Sequence, residues 1–289
     1  MDRAVFDERA TPTTSWFRKR ALIALGLAAA VIAPAAARAP LPPLADLMAI
    51  APRDATPALW EVRDGDTTIY LFGTFHTLDK RTLWFNRSVR AAFDRSGELV
   101  LETVAPTDRD EVRAIGRSIA GPRPAPNGFL AATRSAVERG RADGLSVDHG
   151  ADAVLRRTAA DQGMALSGIE LFADQLRTFA RISAAPPVLV QGVVPTQATA
   201  PVTLAALLAA WKSGDTRAFA AMLAGFEAKA PFAYRLLISD RNVLYGEWIA
   251  QRLDQPGTVF VAVGSGHLAG KDSIQNWLSA KGIQARRIG

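Results

Sequence analysis

Two short strings near opposite ends of the chain constrain its fold more than anything else in it. Thr67-Thr68-Ile69-Tyr70-Leu71-Phe72-Gly73-Thr74-Phe75-His76-Thr77-Leu78 aligns with Gly257-Thr258-Val259-Phe260-Val261-Ala262-Val263-Gly264-Ser265-Gly266-His267-Leu268. Each is an apolar run rich in β-branched and aromatic residues, which favours a strand. Each stops at a glycine, with a histidine three residues later. The chain has 3 histidines, and these strings hold two of them. A strand that twice delivers a histidine from its carboxyl end reads as a two-histidine site.

The pattern elsewhere predicts a chain of alternating elements. Residues 59–62 and 67–72 read as strands around an Asp64-Gly65 turn, 86–96 as a helix, and 98–101 as a strand ending at Glu102. Helices over 107–119 and 128–142 flank a proline-rich loop at 121–128. A helix over 151–162 leads to a short strand at 165–167, which runs into Glu170, and then to a helix over 171–182. Residues 184–200 lack any period and read as a mobile loop. Helices follow over 202–212, 215–229 with Asp215 as N-cap, and 232–252. A strand at 258–263, a helix at 271–281 and a terminal strand at 283–287 complete the chain. Strands at both ends with helices between them indicate an α/β fold: a central mixed or mainly parallel sheet, with a largely helical insertion between the two GxxH strands. The likeness of the two strings hints at an internal duplication, although twelve residues are too few to establish one.

The first 39 residues read as a signal peptide. Arg18-Lys19-Arg20 supplies a positive region, Ala21 to Ala33 is uncharged and apolar, and small residues follow Pro34 with cleavage expected after Ala37 or Ala39. The rival is an uncleaved anchor, but the run is short of the roughly 20 residues a span requires. Periplasmic or secreted localisation is therefore expected, with no stable membrane insertion after cleavage. Residues 40–57 form a proline-rich lead-in to an α/β domain over 58–289. The whole chain carries a net charge of +6; losing six basic and three acidic residues with the signal leaves +3. No Lys/Arg-dense stripe remains, so nucleic acid is not an expected partner. There are 0 cysteines, so stability must come from a packed core, and thiolate metal sites and cysteine nucleophiles are excluded.

Ligands of open α/β sheets sit beyond the carboxyl ends of the strands. That rule gathers His76, Glu102, Glu170 and His267 at one rim if their strands are parallel neighbours. Gly73 and Gly264 would allow sharp turns and close backbone approach there. Gly264-Ser265-Gly266 precedes a helix, so free N–H groups could face an anion or oxyanion. Imidazole plus carboxylate suits Zn, Mn, Fe or Co, and such an ion with an open position would activate water, with a glutamate as general base. Each residue also has a plainer reading. The histidines could hydrogen-bond at strand ends, Glu102 could be solvated, and Glu170 could be a first-turn glutamate favoured by the helix dipole. His149, in a polar Ser-Val-Asp-His-Gly loop, reads as structural. Arg241, between Asp240 and Asn242 in an apolar helix, is either a surface ion pair or a guanidinium that holds a carboxylate or a substrate oxyanion.

The ordered set of motifs resembles a known family. Gly73-Thr74-Phe75-His76, Leu99-Val100-Leu101-Glu102, Ser167-Gly168-Ile169-Glu170, Gln175-Leu176, Trp211-Lys212-Ser213-Gly214-Asp215, Asp240-Arg241-Asn242 and Val261-Ala262-Val263-Gly264-Ser265-Gly266-His267-Leu268-Ala269-Gly270 occur in its order. Together they are similar to the TraB/GumN family, related to the Tiki metalloproteases, from about residue 58 to the end. The resemblance implies an α/β fold shared with erythromycin esterase-like and ChaN-like haem-binding proteins. It implies metal-binding roles for His76, His267 and Glu102, with Glu102 also catalytic; at the further family positions Glu170 is expected as another metal ligand, Arg241 as another catalytic residue and Asn242 in support. A divalent cation (Mn, Co, Zn or Fe) and a peptide or protein substrate are the cofactor and partner it implies. The alternative is a non-catalytic accessory or haem- or metal-binding protein of the cell envelope.

Overall fold

The computed structural model describes residues 55–120, 129–182, 193–194 and 202–289. The expected signal peptide, most of the lead-in, the 121–128 loop and all of 184–200 except Val193–Val194 lie outside the described residues. Eight strands are described: β1 Leu59–Arg63, β2 Thr67–Thr74, β3 Glu98–Thr103, β4 Ala165–Glu170, β5 Val193–Val194, β6 Val202–Thr203, β7 Gly257–Gly264 and β8 Ala285–Arg287. The helices used below are α1 Arg87–Asp94, α2 Arg109–Ala120, α3 Phe129–Ala142, α4 Ala151–Asp161, α5 Phe172–Ala180, α6 Leu204–Ser213, α7 Arg217–Lys229, α8 Pro231–Tyr234, α9 Asp240–Leu253 and α10 Ile274–Ala280.

Six strands form one sheet in the order β4-β3-β7-β2-β1-β8. β4, β3, β7 and β2 run parallel, while β1 is antiparallel to both β2 and β8. The sheet is thus mixed and mostly parallel, and the fold is α/β. The two GxxH strings are direct neighbours, with Thr67 opposite Gly257 and Thr74 opposite Gly264. Their register is the one in which the strings align, so the two glycines are staggered by one residue.

Alternation along the central strands separates two cores. Phe260 and Ala262 of β7 join Tyr70, Phe72, Leu99 and Leu101 on one face, with Phe93 of α1, Leu155 of α4, Leu207 of α6 and Phe219 of α7 over them. Val259, Val261 and Val263 join Ile69, Leu71 and Val100 on the other, under Tyr245 and Ile249 of α9 and Ile274 and Leu278 of α10. A period of two that is apolar at both phases is what a strand covered on both faces requires. It explains why these runs lack polar residues.

Four local expectations need correction. The helix over 232–252 is broken: Arg235–Ser239 forms a π-helical turn between α8 and α9. Val202–Thr203 pairs with Val193–Val194, so α6 starts only at Leu204, where Thr203 Oγ1 accepts the Ala206 N–H at 3.2 Å. The N-cap position of α7 is Thr216, although the Asp215 carboxylate does accept the Arg217 N–H at 2.9 Å. The helix expected at 271–281 spans only Ile274–Ala280, and what directly follows Gly264 is a four-residue 3-10 turn, Ser265–Leu268.

The loop after β2 is pressed against the start of α4. The Ala151 N–H donates to Phe75 O at 3.0 Å, and a Cβ on Gly150 would lie 2.1 Å from His76 O. Backbone meets backbone there, so neither side yields by rotating a side chain. Gly150→Ala is expected to cost about 1–3 kcal/mol of stability as an overpacked contact, read by urea denaturation. A variant as stable as the parent would show that the two segments can part freely.

Candidate functional site

His76 and His267 leave adjacent strand ends and are held in the same way. The ring of His76 bonds through Nδ1 to Asp152 Oδ2 at 2.5 Å. Its Nε2 is buried and has no hydrogen-bond partner among the described residues. His267 bonds through Nδ1 to Asn242 Oδ1 at 2.6 Å, while Asn242 Nδ2 donates to Asp272 O at 2.6 Å. That amide orientation leaves Oδ1 as acceptor, so His267 carries its proton on Nδ1 and its lone pair on Nε2. The turns that project the rings are fixed by Trp211 Nε1–H donating to Gly73 O (2.8 Å) and Ser265 Oγ–H donating to Thr74 O (2.9 Å).

Arg241 is the centre of the polar cluster, and its residue surface is only 4% exposed. Its Nη2 donates to Glu102 Oε2 and to Glu170 Oε1, both at 2.7 Å, and Nε donates to Glu170 Oε1 at 2.8 Å. Nη1 lies 3.4 Å from His267 Nε2. Tyr245 OH donates to Glu170 Oε1 and also meets Arg241 Nη2. The other oxygen of Glu102, Oε1, accepts the Gly264 N–H at 2.6 Å and stands 3.6 Å from His267 Nε2. A Cβ on Gly264 would sit 3.2 Å from Glu102 Oε1, 3.4 Å from His76 Nε2 and 3.7 Å from His267 Cδ2. Glycine at 264 therefore keeps open the space these three side chains surround.

The charges are strongly coupled. Burial opposes the Glu102 carboxylate, but Arg241, the two histidines and the Gly264 N–H hold its pKa well below the usual range. Burial opposes the Arg241 cation too, and Tyr245, Glu102 and Glu170 more than offset it, so it stays protonated. Burial drives His267 down to about 3, with Arg241 and His76 adding to the effect against Glu102, which leaves a neutral imidazole. For His76, burial favours the neutral ring, yet Asp152 and Glu102 outweigh it and raise the pKa. Burial pushes the Tyr245 phenol well above its ordinary value, consistent with a donor to Glu170.

His76, His267, Glu102, Arg241 and Asn242 thus meet at one place, with Glu170 on the Nε–Nη2 edge of Arg241. Glu170 contacts Arg241 and Tyr245 rather than either histidine. Of the two readings of Arg241, the surface ion pair is excluded. The expected close approaches at the glycines are present, since a Cβ on Gly73 would lie 2.9 Å from Ser265 Oγ. The expected sharp turns are not made by unusual backbone: among the glycines with positive φ, neither Gly73 nor Gly264 appears. Of the N–H groups expected to be free at 264–266, that of Gly264 is taken by Glu102. A Cβ on Gly266 would meet nothing nearer than 3.9 Å, so close packing does not demand glycine there. His149 stands apart and belongs to a neighbouring groove. Among the described residues no group of three or more His, Asp or Glu side chains is close enough, as packed, to hold a metal ion.

Sequence reasoning missed Asp152 and Tyr245. Asp152 sits in the first turn of α4, where an acidic residue is favoured by the helix dipole alone. Tyr245 follows Arg241 by four residues and so shares its helix face; that spacing was the available signal.

Fold and site together define an α/β protein with a buried centre of paired histidines and carboxylates at the carboxyl ends of parallel strands. A model of the TraB/PrgY/gumN family matches residues 58–118 and 120–287, and the chain belongs to that family. Searches of curated proteins and of solved structures found no match. No helix of the described residues is long and apolar enough to cross a membrane.

Arg241 is what allows Glu102 and Glu170 to be buried. Arg241→Met is expected to lower stability by about 3–5 kcal/mol, the cost of leaving buried charges unpaired, measured by urea denaturation at neutral pH. A loss below about 1 kcal/mol, the range of an exposed pair, would show that the cluster is solvated.

Proposed function

We propose that this chain is an exported metal-dependent hydrolase, a peptidase, in which His76, His267 and Glu102 bind a divalent cation (Mn, Co, Zn or Fe) and activate water. The observation that carries this reading is His76 Nε2, a buried ring nitrogen without a hydrogen-bond partner among the described residues, whose ring is fixed from behind by Asp152. Leaving such an atom unmet costs about 1–3 kcal/mol. His267 has the same build, with Asn242 behind it. A ring nitrogen held by a carboxylate or amide oxygen is how ligating histidines are oriented, and two imidazoles with a carboxylate suit borderline cations. The donor chemistry suits such an ion, the side chains as packed would have to draw closer to hold it, and the open space at Gly264 borders all three of them. Export is supported by the signal-like segment within residues 1–39, and a peptide substrate by the resemblance to Tiki metalloproteases.

A bound ion would supply Lewis acidity, polarising a carbonyl and acidifying water. The chain's own residues do the remaining work. Asp152 and Asn242 hold both imidazoles through Nδ1, so each Nε2 faces the centre. Arg241 keeps Glu102 ionised and oriented, and its Nη1 presents positive charge where a carbonyl oxygen would turn anionic. Glu170 and Tyr245 hold the guanidinium from its other edge, which makes Glu170 a positioning residue.

One observation favours the non-catalytic alternative, an accessory or haem- or metal-binding protein. Arg241 already places a fixed cation 3.4 Å from His267 Nε2. Metal analysis separates the two. The hydrolase is expected to take up stoichiometric Mn, Co, Zn or Fe and to cleave peptides, with His76→Ala and His267→Ala abolishing both. Protein that takes up none of these ions would overturn the proposal. Asp152→Ala and Asn242→Ala, which leave the ligands in place, are expected to weaken metal binding about 10–100-fold by calorimetric titration. Unchanged affinity would remove their orienting role.

A further inference from the structure

We propose that the groove between the start of α1 and the start of α4 binds an acidic segment of a polypeptide substrate and leads it to His76. This names the substrate class of the site above and rests on that reading. The groove encloses about 690 Å³. One wall is the 79–90 segment, which begins three residues after His76, and the other is formed by His149 and Val154. Between those two lies Asp152, the residue bonded to His76. The groove and the His76–Asp152 pair are therefore built from the same two pieces of chain, and the Gly150–His76 backbone contact locks the pieces together.

The charge of the groove is one-sided. Lys80, Arg87 and Arg90 line it, and among the described residues none of them has a carboxylate partner. The one acidic lining residue, Asp79, is already occupied: it accepts from Thr82 Oγ1 at 2.7 Å and the Arg81 N–H at 2.8 Å, and Lys212 Nζ lies 3.5 Å away. Three cations thus face the groove unmatched. Arg90 is further ordered by stacking 4.5 Å over the Phe85 ring. The neighbouring Leu83 is 56% exposed and adds an apolar surface. Carboxylates interspersed with apolar side chains match this lining. A merely solvated basic face would need neither the groove nor its place beside the His76–Asp152 pair.

The test is fluorescence anisotropy on the full-length protein, with chelator present so that binding is read without metal. The probe is a labelled peptide of alternating Glu and Phe, compared with the same peptide carrying Gln for Glu. The acidic peptide is expected to bind at least about tenfold tighter than the Gln peptide, and to weaken as salt rises from about 50 to about 300 mM. Arg87→Gln/Arg90→Gln is expected to lose at least about tenfold of that affinity. Arg95→Gln, at the far end of the same helix, should lose none. If the double variant melts early, Lys80→Gln in the preceding loop reads the same loss. Equal binding of both peptides, binding unaffected by these substitutions, or binding of an acidic oligosaccharide in place of the peptide would overturn the proposal. Metal-dependent cleavage of a neutral peptide without acidic-peptide binding removes the groove and keeps the hydrolase; acidic-peptide binding without any metal uptake does the reverse.

Discussion

The buried charge of Arg241 is the constraint on which the rest of the site depends. Glu102 and Glu170 leave β3 and β4, and their side chains are 11% and 7% exposed. Burial alone would push the Glu102 carboxyl up, and Arg241 is the largest of the groups that hold it down instead. The guanidinium engages both at 2.7 Å through one nitrogen and keeps a second for His267. It also fastens α9 to the ends of three parallel strands. The π-helical turn just before α9 belongs to this arrangement: Asp240 N–H reaches back to Arg235 O, and Leu237 O faces Arg241 Nη1 at 3.5 Å. Such turns recur at functional sites because they re-aim a side chain without ending the helix.

The strand register is the second determinant. β2 and β7 run side by side, so both histidines emerge at the same end, and the one-residue stagger places Thr74 opposite Gly264. Glycine at 264 then leaves free the position that Glu102 Oε1 and His76 Nε2 approach. A parallel pair with glycine on both strands is thus more than a turn signal. At 73 it lets Ser265 come close, and at 264 it opens the centre.

What could be read from the amino acids followed from strong local signals. The β-branched runs at 67–72 and 258–263 gave strands, and the strand-end rule brought His76, His267 and Glu102 to one rim. The order of the strands was not legible, because β7, from the far end of the chain, lies between β3 and β2, a pairing that no local pattern specifies. The break at Arg235–Ser239 was invisible since Leu236, Leu237 and Ile238 continue the apolar helical pattern. Asp152 was hidden by a sufficient local explanation in the dipole of α4. Glu170 was legible as a site residue, but its distance from the histidines depends on Arg241, whose burial no local pattern announced.

The charge balance of the centre bears on what it accepts. Glu102 and Glu170 are paired with Arg241, Asp152 is paired with His76, and burial keeps His267 neutral. The His76–Asp152 pair is the more open side of the cluster, since the Asp152 side chain is 28% exposed. The buried carboxylates are thus already matched, and what the centre leaves unmet among the described residues is the ring nitrogen His76 Nε2. In the neighbouring groove the unmet groups are the cations Lys80, Arg87 and Arg90. On the proposed function the two regions therefore divide the work: the groove would attract carboxylates of the substrate, while the centre would take the cation and, beside it, the neutral carbonyl of a peptide bond.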